Sequence, residues 1–137
     1  MEIQSCVEVK SEWEIVAARQ AGRNLAKEIG FGTVDQARIA TAISELARNI
    51  YLYAKQGKVC IERVVGTETN LFQQGIKITA LDEGPGIEDV RQVMEDGFTT
   101  SGGLGAGLPG VKRLMDDFQI ETNVGEGTII TITKWMR

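Results

Sequence analysis

The sequence predicts an α+β fold: one mixed, mostly antiparallel sheet with its helices on a single face. Two observations carry this. Apolar spacing switches between strand and helix periods in the order β-α-α-β-β-α-α-β-β, whereas a doubly wound parallel sheet needs regular alternation. The β-branched runs also come in neighbouring pairs, Lys58–Gly66 with Gln74–Leu81 and Ile120–Val124 with Thr128–Lys134. Each pair is joined by a polar or glycine-bearing link, as in a hairpin.

The elements follow in order. Residues 2–9 alternate through Ile3, Cys6/Val7 and Val9 and read as a first strand. Ser11 caps a helix with Glu14 at the reciprocal position, and Ile15, Ala18, Gly22, Leu25, Ala26 and Ile29 form its inner stripe up to Gly30. Thr33 and Gln36 repeat the capping box before a long helix, about Val34 to Lys55, whose inner stripe is Ile39, Ile43, Leu46, Ile50 and Tyr53. After the first hairpin, a short helix is expected over Glu88–Glu95 and another over Leu108–Phe118. Gly125-Glu126-Gly127 makes the tight turn between the last two strands.

At 137 residues, with 42% hydrophobic and 25% charged residues, the chain is expected to form one domain, residues 1–137. A net charge of −4 without a Lys/Arg cluster argues against nucleic acid as a partner. No long apolar run or leader-like segment is seen, so a cytoplasmic protein without a membrane partner is expected. Cys6 and Cys60 read as buried thiols of a reducing compartment, with a single bridge left open. The chain has no histidine, which removes Ser-His-Asp triads, Cys-His dyads and His-bearing zinc sites. Any general base must be a carboxylate, Lys, Tyr or Cys.

Chemistry concentrates between Asp82 and Gly107. An apolar run ends in Asp82-Glu-Gly84-Pro-Gly86, and a glycine-dense stretch, Gly102-Gly103-Leu-Gly105-Ala-Gly107, leads into a helix at Leu108-Pro109. Bare backbone amides ahead of a helix N-terminus suit a polyanion such as a triphosphate, although glycines alone equally describe a surface loop. Gly105-Ala-Gly107-Leu-Pro-Gly110 formally fits a dinucleotide fingerprint but lacks the strand that must precede it, and no Walker pattern is present. Glu45 and Asn49 lie one helical turn apart on an otherwise apolar segment. Such a pair could be a solvated glutamate and an ordinary asparagine, or a proton acceptor beside a neutral Mg²⁺ ligand.

Taken together, Glu45-x-x-x-Asn49, Asp82-x-Gly84-x-Gly86, Gly103-x-Gly105-x-Gly107 and Gly125-x-Gly127-Thr128 resemble, in order, the boxes of the GHKL ATPase superfamily. That superfamily holds DNA gyrase B, the ninety-kilodalton heat-shock chaperones, MutL and histidine kinases. The resemblance covers nearly the whole chain from the long helix onward and implies the two-layer α/β sandwich known as the Bergerat fold. It also implies ATP and Mg²⁺ as cofactors. By resemblance, Asp82 accepts from the adenine amino group, Gly84 and Gly86 let the backbone approach base and sugar, and Thr128 holds adenine through water. Asn49 binds Mg²⁺. Thr100, Ser101, Gly102, Gly103, Leu104, Gly105, Ala106, Gly107 and Leu108 form the lid over the phosphates, and Glu45 is the catalytic base.

Within the superfamily, Ala47-Arg-Asn-Ile-Tyr-Leu-Tyr-Ala54 and Ser101-Gly-Gly-Leu-Gly-Ala-Gly-Leu-Pro-Gly-Val-Lys-Arg-Leu-Met115 are most similar to the stressosome switch kinases of bacterial partner-switching systems. Anti-sigma-factor kinases usually carry a histidine after the asparagine box, which this chain lacks. No dimerisation or sensor segment is recognised, so regulation is expected to come from partners. The resemblance implies a serine/threonine kinase acting on STAS-domain scaffold or antagonist proteins and, once released, activating an effector such as a PP2C-type phosphatase. The alternative is an anti-sigma-like protein whose main task is nucleotide-dependent sequestration of a partner.

Overall fold

The computed structural model describes residues 5–54, 56–66, 68–87, 94 and 107–137. Strand β1 is Ser5–Glu8, followed by helices α1 (Glu12–Ile29) and α2 (Thr33–Asn49) and a π-helical turn, Ile50–Ala54. Strands β2 (Gly57–Val65) and β3 (Gln74–Asp82) follow, then α3 (Gly107–Leu114), β4 (Asp117–Asn123) and β5 (Gly127–Trp135). The five strands form one sheet in the order β1-β2-β3-β5-β4. Every pairing among the described strands is antiparallel, so the expected parallel component does not appear there.

Alternation along the strands divides the sheet into two faces. Val59 and Ile61, Ile76, Ile78 and Ala80, and Ile130 and Ile132 are buried, and they share one core with Ile15, Ala18, Ala26, Ile39, Ile43 and Leu46 of α1 and α2. This covered face is the α+β layering expected from the pattern. Gly22 brings the two helices together: a Cβ there would lie 2.0 Å from Ile43 Cδ1.

Both caps differ from expectation in an instructive way. Ser11 is the N-cap of α1 and accepts from Trp13 N at 3.3 Å, but Glu14 reaches one residue further back, accepting from Lys10 N at 3.0 Å and from Ser11 Oγ at 3.0 Å. The Ser11 hydroxyl, followed by smaller contributions from the Lys10 and Ser11 amides, holds the Glu14 carboxyl below its ordinary value. At α2 the expected Thr33 cap is absent. Gly32 takes the N-cap position without a side-chain bond, and Gln36 Nε2 donates instead to Phe31 O at 2.8 Å, so Thr33 is already inside the helix. Gly30 ends α1 in the left-handed conformation, φ 117°, as its position implied.

The long helix also ends earlier than its apolar stripe suggested. From Ile50 the backbone widens into the π-helical turn, which rotates later side chains off the inner stripe and leaves Tyr53 51% exposed. The helix expected over Leu108–Phe118 is shorter too, because Asp117 and Phe118 join β4. Lys134, although only 7% exposed, donates from Nζ to Leu114 O at 3.0 Å and stands 3.9 Å from Asp35 Oδ1. Its cation thus meets the C-terminal end of α3, where the helix dipole favours positive charge.

The cysteines require a correction. The β1–β2 register sets Cys6 directly opposite Cys60 with 4.0 Å between the Cα atoms, and the two form a disulfide rather than a pair of buried thiols. Cys60 is buried, whereas Cys6 is exposed on the uncovered face. Trp13 is 81% exposed.

Candidate functional site

The same two-residue period that buries Ile76, Ile78 and Ala80 brings Asp82 next onto the helix-covered face, at the end of β3. Register pairs Asp82 with Gly57 on one side and Thr128 on the other, and pairs Thr128 with Thr122. Gly57, Asp82, Thr128 and Thr122 therefore form one row across four strands. Asp82 Oδ1 accepts from Gly84 N at 2.9 Å, a local turn that fixes the carboxylate while leaving acceptor capacity on it. Thr128 is 6% exposed, so its hydroxyl is a buried polar group that needs partners. Thr122 Oγ1 supplies one at 3.0 Å.

The loop after Asp82 is seated by close backbone packing. A Cβ at Gly84 would lie 2.7 Å from Ala54 Cβ, at the end of the π-helical turn. Gly86 has φ +77°, and a Cβ there would come 2.5 Å from Asn123 O. Gly125 N donates to Pro85 O at 2.8 Å, and Ile87 N to Thr122 Oγ1 at 2.9 Å. These neighbouring segments by themselves demand the glycines that the sequence suggested for approach of a ligand. The β4–β5 turn is the support on which the Asp82–Ile87 segment rests.

On α2, Glu45 is 3% exposed, which removes the solvated-glutamate reading. Asn49 is the last residue of α2, part-buried, directly before the π-helical turn, a distortion frequent at functional sites. Gly107 and Leu108 are buried in the first turn of α3. Thr100, Ser101, Gly102, Gly103, Leu104, Gly105 and Ala106 lie outside the described residues, as does the short helix expected over Glu88–Glu95 apart from Met94.

Among the described residues, no group of three His, Cys, Asp or Glu side chains could hold a metal ion. A single amide oxygen from Asn49 still fits Mg²⁺, which keeps several waters and takes its remaining ligands from substrate phosphates. A cavity of about 620 Å³ at this end of the sheet is lined by Asp82, Thr122 and Thr128 with Lys58, Leu81 and Ile129, but not by Glu45 or Asn49. It extends over the sheet face opposite α1 and α2, and among the described residues none of α2 lines it. Sequence reasoning missed Gly57 and Thr122. Thr122 follows by counting register from the tight turn, which pairs it with Thr128 once Asn123 is opposite Gly127, whereas the longer link between β2 and β3 fixes no register for Gly57.

Comparison with known proteins identifies the family. Residues 9–134 match the family described as the histidine kinase-like ATPase domain. The chain belongs to this family. It is 66% identical over 137 residues, all of both chains, to the serine/threonine-protein kinase RsbT of Bacillus subtilis (strain 168). Likeness of that extent places the chain among the serine/threonine-protein kinases, and the ATPase domain implies use of ATP. An anti-sigma F factor of Caldanaerobacter subterraneus subsp. tengcongensis is 33% identical over 103 residues, 73% of this chain and 70% of that one. Among solved structures, the mycobacterial sensor histidine kinase MprB matches with a TM-score of 0.54 over 97% of each chain, at 16% identity, a likeness of fold. No helix among the described residues is long and apolar enough to cross a membrane.

Proposed function

We propose that this kinase is a partner-switching enzyme that transfers the γ-phosphoryl group of ATP to a serine or threonine of a STAS-domain scaffold or antagonist protein. Released from that partner, it binds and activates an effector, for which a PP2C-type phosphatase is the candidate. The observation that carries the reading is the full-length likeness to a serine/threonine-protein kinase.

The roles are those that the resemblance implies, and the placement of the residues supports them. Asp82, held by Gly84 N, accepts from the adenine amino group, with Thr128 beside it in the row. Asn49 would hold Mg²⁺, whose contribution when bound is to neutralise phosphate charge. Gly107 and Leu108, at the start of α3, offer amide donors and a positive helix end to the phosphates, together with 100–106. Glu45, shielded from water one turn before Asn49, takes the proton of the incoming hydroxyl. The hydroxyl oxygen bonds to the γ-phosphorus as the bond to the β-phosphate oxygen breaks, leaving ADP. Positioning and electrostatics supply most of the acceleration in phosphoryl transfer, so Glu45→Gln should slow the reaction by about 10²–10⁴-fold while ATP still binds. Incubation with γ-labelled ATP and a purified STAS-domain protein tests this. Label on Ser/Thr that falls with Glu45→Gln supports the reading, and the absence of label with every such partner overturns it.

The likeness to an anti-sigma F factor favours a second reading, in which nucleotide-dependent holding of a partner is the main task. A stable complex with a sigma factor, and none with a STAS-domain protein, would select it.

A further inference from the structure

We infer that Thr122, on β4, is a positioning residue for nucleotide binding: its hydroxyl orients Thr128 and locks the Asp82–Ile87 segment onto the β4–β5 hairpin. The inference rests on the reading of Asp82 and Thr128 as the adenine site. Thr122 Oγ1 lies 2.9 Å from Ile87 N, 3.1 Å from Gly127 O and 3.0 Å from Thr128 Oγ1. A hydroxyl has one proton and two lone pairs. The Ile87 N–H takes one lone pair, so the proton has two claimants, Gly127 O and Thr128 Oγ1. If it goes to Gly127 O, Thr128 must give its own proton to Thr122 and offers the base only acceptors. If it goes to Thr128, the Thr128 proton turns toward the base instead. The two hydroxyls are thereby coupled, so what Thr128 offers the base depends on Thr122, and adenine and guanine exchange donor and acceptor at N1 and the 6-substituent of their pairing edges.

The same atom is a structural joint. Gly125 N to Pro85 O and the close approach of Gly86 to Asn123 O join the loop and hairpin through backbone alone, and Thr122 adds a side chain that ties the loop to two strands. Losing it leaves the Ile87 N–H and the buried Thr128 hydroxyl each short of a partner.

The test compares Thr122→Val and Thr122→Ser with wild-type full chain in steady-state kinase assays with ATP and GTP. Thr122→Val should raise KM for ATP about 10-fold, with kcat within about twofold, and narrow the preference for ATP over GTP about as much. Thr122→Ser, which keeps the hydroxyl, should restore both. A role in folding alone would lower the melting temperature of Thr122→Val without this split, and that result overturns the inference. Asp82→Asn is run alongside: if it impairs ATP binding while Thr122→Val does not, Thr122 fails and the adenine site stands. If neither impairs it, the site reading fails. Should Thr122→Val not fold, hydrogen exchange of the wild-type Ile87 amide decides. Slower exchange on adding Mg·ADP supports the inference, and unchanged exchange overturns it.

Discussion

Gly127→Ala should be among the more damaging single-methyl additions in the chain, and its cost can be divided in advance. Gly127 has φ +122°, and a Cβ there would lie 2.1 Å from the carbonyl oxygen of Asp82 on the neighbouring strand. The positive φ costs about 1–2 kcal/mol for an L-residue. The clash is with backbone rather than with a side-chain tip, so the strands must part, an overpacking cost of about 1–3 kcal/mol. The total is about 2–5 kcal/mol, a large share of the ~5–15 kcal/mol by which a domain of this kind is stable. Gly125→Ala is the internal control: its φ is +83°, but nothing lies within 4 Å of the added methyl, so only the conformational cost applies. Urea unfolding of the two variants at equal m-value should therefore differ by about 1–3 kcal/mol, with Gly127→Ala the weaker. Since the displaced oxygen belongs to Asp82, Gly127→Ala should also weaken ATP binding, and Gly125→Ala should not. Equal losses in both, or a greater loss in Gly125→Ala, would refute the claim that the hairpin is pressed against Asp82.

Three further outcomes are expected. Lys134→Met removes the buried cation from the Leu114 carbonyl and should destabilise the protein by about 1–3 kcal/mol in urea unfolding, with Lys134→Arg milder. A disulfide spanning 54 residues should contribute about 4 kcal/mol by chain entropy, so dithiothreitol should lower the unfolding midpoint of wild type and leave Cys6→Ser unaffected. In an NMR titration, Glu14 should protonate below its ordinary range and move back up in Ser11→Ala. Because the folded value is depressed, the associated stabilisation of α1 is present above the ordinary glutamate pKa and is lost as pH falls through the lowered one.

Much of the fold was legible because most elements carry their own local signals. The Ser11 start and Gly30 stop of α1, the two hairpins and the alternation that buries Ile76, Ile78 and Ala80 all follow from spacing and turn chemistry. Errors arose where tertiary partners outvoted local preference. Thr33 lost its cap because Gln36 serves Phe31, the stripe to Tyr53 broke at the π-helical turn, and Phe118 was drawn into β4 by pairing with Ile132. The disulfide stayed open in the sequence because only the β1–β2 register brings Cys6 to Cys60. At the candidate site, Glu45 and Asn49 stood out by residue type and spacing, whereas Asp82 and Thr128 took their roles from the resemblance. Thr122 did not stand out, because a threonine in a strand is ordinary until its hydroxyl is seen between Ile87 and Thr128.

The measurement that bears most directly on the account is isothermal titration of Mg·ATP into wild type and Asp82→Asn, with both shown folded by circular dichroism. Saturable binding of one nucleotide per chain, weakened at least tenfold by removing a single carboxylate oxygen, is the predicted result. No heat with wild type, or the same affinity in both proteins, would contradict it.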